Sequence, residues 1–207
     1  MKSIFTLLAL AGPALGAVSF SLPGNSEFAS WALSSTNHPG FNTFRTAANP
    51  WTSTVSPDAG SASAVLGKVS GSGYIGSAFL YTAAVTGVFS IQDSSPLANL
   101  ATVIFQGRIS DPLDSVVLNY NGGNQALAAG FSLVVPGSPY PERAWQWDLS
   151  GVPGITSYEI IYSGHYAATS LAVTAGNSFA QVIPEPSSAL LGLTALTLTL
   201  TLIRRRV

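Results

Sequence analysis

The sequence predicts an all-β chain, an antiparallel β-sandwich of jelly-roll-like type, and three observations carry that expectation. Charged residues make up only 8% of the 207 residues, against about 25% in a typical soluble protein. The Glu and Lys that dress the exposed faces of long helices are therefore scarce. Short apolar runs recur along the middle of the chain, separated by turn clusters that draw on 20 Gly and 13 Pro. Within several of those runs apolar and polar residues alternate with period two, as in a half-buried strand.

The first element is "MKSIFTLLALAGPALGAVSF". Lys2 gives a short positive region, Ile4 to Leu10 an apolar stretch, and Pro13 a helix break before small residues. Cleavage after Gly16 or after Ala17 fits that pattern, so residues 1–17 read as a secretory signal peptide. The apolar stretch is too short to span a bilayer. Residues 18–180 are then the exported domain. Its first part, Asn25 to Gly60, is less regular and is expected to wrap the sandwich or to hold a short helix near Glu27–Leu33.

Strands are expected at Ser63–Val69, Gly73–Tyr81, Val85–Ile91, Ala101–Ile109, Ser115–Tyr120, Gly130–Val135, Ala144–Leu149, Ser157–Gly164 and Ala168–Ala175. Val116, Leu118 and Tyr120 share one face, as do Tyr158, Ile160 and Tyr162. The separators are turn formers: Ser94-Ser95-Pro96, Asp111-Pro112, Asn121-Gly122-Gly123 and Pro136-Gly137-Ser138-Pro139. No repeat of fixed period and no long internal linker divides the chain. Cysteine is absent, so an exported domain of this kind depends on its core alone, without disulfides.

The chain closes on "VIPEPSSALLGLTALTLTLTLIRRRV". Residues 181–188 read as a linker containing Pro184, Glu185 and Pro186. From Ala189 to Ile203 no charge occurs, and a helix over that stretch rises about 22 Å. A span of the ~30 Å hydrocarbon core must therefore recruit Ser187 and Ser188 or thin the bilayer. Leu and Thr alternate from Leu196 to Leu202, a period that also suits a strand. Arg204, Arg205 and Arg206 directly behind the apolar run, together with an export signal ahead, favour a transmembrane helix over 189–203. The basic end, 204–207, then stays on the cytoplasmic side.

Pro-Glu-Pro, a short apolar span and a terminal Arg cluster, in that order, resemble the PEP-CTERM sorting signal of Gram-negative bacteria. The resemblance covers about 25 residues. It implies an exosortase, a membrane-embedded cysteine transpeptidase-like enzyme, as a partner that processes the tail near Pro184, Glu185 and Pro186. It also implies export, transient anchoring in the inner membrane, and a final place at the cell surface or outside it. The stretch "AWQWDLSGV…ITSYEIIYSGHY" further resembles the C-terminal half of small exported proteins with this tail in Verrucomicrobia-like bacteria. The motif itself is physically apt. Its prolines fix φ and disfavour helix in the residues before them, which leaves Glu185 on an extended, accessible peptide.

Between residues 18 and 183, four bases and eight acids leave a charge of −4, while the whole chain stands at −1. An acidic domain without a basic stripe argues against nucleic acid as a partner. His38 and His165 are isolated in sequence and accompany no nucleophile motif, so neither suggests a triad or a zinc site, and no cofactor is expected. Asp93, Asp111 and Asp114 form no calcium-loop spacing. Glu27, Glu142, Asp148 and Glu159 are carboxylates without a marked catalytic pairing. Trp145 and Trp147 fall on one face of a strand, with Tyr140 and Tyr158 as neighbours in reach. They either fill the core or form an aromatic platform for extracellular polysaccharide. These features predict a structural or adhesive surface protein, with a carbohydrate-binding module or, further off, a polysaccharide-acting enzyme as the alternatives.

Overall fold

The computed structural model describes residues 20–41, 51–82 and 85–183. Among the described residues thirteen strands lie in two antiparallel sheets. One contains β10 (Phe131–Val135), β11 (Glu142–Asp148), β7 (Thr102–Ile109), β13 (Ala167–Gly176), β1 (Ser26–Ala32) and β2 (Ala59–Gly60), in that spatial order. The short β4 (Tyr74–Ile75) and β5 (Leu80–Tyr81) pair with each other, and β5 joins β13. The other sheet runs β3 (Ala64–Gly71), β6 (Gly87–Asp93), β12 (Tyr158–Gly164), β8 (Ser115–Tyr120) and β9 (Leu127–Ala128). Early strands pair with late ones: β1 with β13, β6 with β12, β7 with β11 and β8 with β9.

Alternation explains the core. Tyr158, Ile160 and Tyr162 of β12 all point inward and are buried, and Leu118 of β8 faces the same interior with Val116 and Tyr120 packed beside it. Phe105 from the first sheet meets Tyr162 from the second at 4.9 Å between ring centroids. Phe89 stacks on the other side of Tyr162, 5.8 Å away. These aromatic contacts join the two sheets into one hydrophobic layer, the defining feature of a β-sandwich. Burial pushes the Tyr158, Tyr162 and Tyr166 phenols well above their ordinary range, so they stay neutral.

Two expectations need correction. The short helix near Glu27–Leu33 is strand β1, which pairs with β13 from Ser26↔Gly176 to Ala32↔Ser170. Its period is two: Ala29 and Trp31 are buried, while Phe28, Ser30 and Ala32 face outward. Trp31 also donates its indole N–H to the Val55 carbonyl at 3.0 Å, which ties the strand to the loop beyond it. The run Gly73–Tyr81 is a hairpin and not one strand, because the chain turns at Gly76, whose N–H donates to Phe79 O at 2.8 Å. β2 and β9, two residues each, are too short to leave a sequence pattern.

The packed body also extends past the boundary expected at residue 180. Phe179 stacks on Phe131, and Ile183 is fully buried against Leu22, Ile104 and Ala144. The cause is Gln146, a buried amide on the outward face of β11. Its Nε2 donates to Ala180 O at 2.7 Å, and its Oε1 accepts from Val182 N and Ile183 N at 3.1 and 3.2 Å. One side chain thus takes the place of a pairing strand for the chain's exit segment. Among the described residues no helix is long and apolar enough to cross a membrane. The signal peptide of residues 1–17 and the span of 189–203 lie outside the described residues.

Candidate functional site

Strand register lays three rows of side chains across the outward face of the first sheet. The first is Phe28, Thr174, Ile104, Gln146 and Phe131. The second is Ser30, Ala172, Gln106, Ala144 and Leu133, and the third is Ala32, Ser170, Arg108, Glu142 and Val135. On the β7–β11–β10 side this face is apolar and capped by Phe20, Leu22, Val182 and Ile183. On the β1–β13 side its residues are small or polar, and a cleft of about 420 Å³ opens there.

One wall of the cleft is built by the turn after β1. His38 N donates to Ser34 O, and Asn37 Nδ2 reaches back to Ala32 O. That turn buries His38 and sets its Nε2 3.2 Å from Asp58 Oδ2. Asp58 Oδ2 also accepts the Ala32 N–H at 2.6 Å, so a single carboxylate oxygen fixes both the strand end and the imidazole. Opposite, Arg108 Nε donates to Glu142 Oε1 at 3.1 Å beside the loop that carries Pro139. The floor holds Ser170, next to a β-bulge at Thr169 where β13 slips register against β7. Bulges re-aim side chains in this way. The Ser170 hydroxyl is buried at the base of the cleft and meets no hydrogen-bond partner among the described residues.

Of the two readings of Trp145 and Trp147, core filling and aromatic platform, the packing matches the first. Trp147 is 2% exposed and donates its indole N–H to Leu127 O at 2.9 Å. Trp145 stacks on Phe105, with centroids 5.3 Å apart and planes 18° off parallel. Both rings face the interior between the sheets, where apolar area is removed from water, so no coplanar exposed pair is presented to a sugar. Pro184, Glu185, Pro186 and the basic cluster Arg204, Arg205 and Arg206 lie outside the described residues.

The remaining carboxylates are dispersed. Asp148 caps the Ser150 turn, Glu159 accepts from Gln92 at 2.7 Å, and Asp111 accepts from Ser110. Glu27 accepts the Leu97 N–H at 2.7 Å at one end of the sandwich. Burial lifts its carboxyl above the ordinary range; the Leu97 bond opposes that rise, and Asp93 adds to it. Among the described residues no three His, Asp or Glu side chains gather as metal ligands. His165 lies between β12 and β13, its ring 6.2 Å from that of Tyr81 and apart from the cleft-lining residues.

No family model, curated protein or solved structure matches the chain.

The His38–Asp58 pair had no signal in the sequence. It depends on the β1–β2 register and on a turn that brings together residues twenty positions apart.

Proposed function

We propose that this chain is an exported protein of the cell surface or extracellular matrix with a structural or adhesive role. In this reading residues 1–17 direct export, and 189–203 hold the chain transiently in the inner membrane with Arg204–Arg206 inside. Pro184, Glu185 and Pro186 present the tail to an exosortase-type enzyme. The observation that carries the reading is the order of the tail in the sequence: Pro184, Glu185 and Pro186, then an uncharged run over 189–203, then Arg204, Arg205 and Arg206. Among the described residues the chain is packed as far as Ile183, and Pro184 follows it in the sequence. A fold of this size held only by its core, with no cysteine, suits a displayed module.

A jelly roll is the finer form of the fold in this proposal. Support comes from the nested pairing of β1 with β13, β6 with β12, β7 with β11 and β8 with β9, as in one long hairpin rolled over itself. Fractionation of cells expressing the wild type and Glu185→Ala tests the sorting role. The variant is expected to keep its tail and accumulate in the membrane fraction. Identical processing of the two chains counts against the reading.

A further inference from the structure

We propose that the cleft on the outward face of the first sheet binds a neutral, hydroxyl-rich ligand, a glycan, through Asp58, Asn37, Ser170 and Arg108. The inference deepens the adhesive reading above by naming a ligand class, but binding itself does not depend on where the protein resides. Four features point the same way. The cleft measures about 420 Å³, within the range of about 300–1,000 Å³ typical of small-ligand sites. Its floor is made of small residues (Ser30, Ala32, Ser170), so backbone and hydroxyl groups lie within reach of a ring laid on the sheet.

Charge decides the ligand class. Among the described residues Arg108 is the only base lining the cleft, and its Nε is already bonded to Glu142. Asp58 faces it as an acceptor and holds His38. A phosphate or a polyuronate would meet the Asp58 carboxylate and a guanidinium already paired with Glu142, whereas a sugar hydroxyl both donates and accepts and suits each wall. Ser170 adds a direct indication. Its hydroxyl is buried with no partner among the described residues, an arrangement that is unfavourable for a polar group. Turned toward the cleft that Ser170 lines, the hydroxyl gains a ligand oxygen as partner without breaking any existing bond.

Affinity electrophoresis of the purified full-length chain through gels containing mannan, laminarin, xyloglucan or dextran tests the site, with polygalacturonate as the anionic comparison. At least one neutral polysaccharide is expected to retard the wild type. Ser170→Ala combined with Asn37→Ala is expected to weaken that retardation about tenfold or more, since each good hydrogen bond is worth about a factor of ten. Ser170→Ala alone is expected to leave the melting temperature unchanged or raised, because no intramolecular bond is lost. The proposal is overturned if none of the four neutral polysaccharides retards the chain or if polygalacturonate alone does. It is equally overturned if the double variant binds as the wild type does while Trp145→Ala abolishes retardation. None of these outcomes bears on export, which the Glu185→Ala fractionation reads separately.

Discussion

Replacing Gln146 by Leu keeps the side-chain volume on the outward face of β11 and deletes the three hydrogen bonds by which it holds residues 180–183. Three bonds to that segment are lost: Nε2 to Ala180 O at 2.7 Å, and Oε1 from Val182 N and Ile183 N at 3.1 and 3.2 Å. The fourth, to Thr102 Oγ1 at 3.3 Å, matters less, because Thr102 keeps its own bond to Trp147 O. At about 1 kcal/mol net each, three bonds amount to about 3 kcal/mol against local opening of the exit segment. That is about a hundredfold in the opening equilibrium. Hydrogen exchange read at single amides is the assay. The Val182 and Ile183 amides are expected to exchange about a hundredfold faster in Gln146→Leu, while amides of β12, remote from the clamp, change far less. Unchanged protection at both amides would refute the role given to Gln146.

Two other outcomes follow from local geometry. In Gly60→Ala the added Cβ would sit 1.9 Å from the Phe28 carbonyl oxygen, at a φ of +96° that side chains rarely adopt, so β2 must leave β1. The expected loss is at least about 2 kcal/mol in a denaturant titration, and a wild-type midpoint would contradict the β1–β2 pairing. Glu27 has a folded-state pKa raised above its ordinary value of 4.5, so the folded chain binds the proton more readily than the unfolded chain. Stability is therefore expected to fall as pH rises from about 4.5 through the raised value, and to level off beyond it. Glu27→Gln is expected to flatten that slope; an unaltered slope assigns it to other groups.

Local pattern made much of the sandwich legible before any coordinates. The alternations in "SVVLNY" and "SYEIIYSG" sort residues by face, and both became strands at nearly the expected bounds. β1 was obscured because "SEFASWA" mixes one charge with small residues, and its strand state comes from seven pairings to β13, about 150 residues away. The tryptophans show the limit of periodicity: it places Trp145 and Trp147 on one face but does not say which face meets the other sheet. Trp147 turned out to be buried, with its indole N–H satisfied by Leu127 O. The cleft was invisible for a related reason. Ser170, Arg108 and Asp58 are ordinary polar residues in three separate segments, and only register across β1, β13 and β7 makes them neighbours. Gln146 gave no signal either, since a glutamine in a strand normally faces water, and here it stands in for a missing ladder partner.

The most direct test of the account is the intact mass of the chain recovered from the culture medium or cell surface of an expressing Gram-negative host, set beside that from its cytosol. The account expects the outer pool to hold a polypeptide that begins at Ala17 or Val18 and has lost the apolar and basic residues behind the Pro184–Pro186 motif. A full-length chain of 207 residues confined to the cytosol, uncut at both ends, would contradict it.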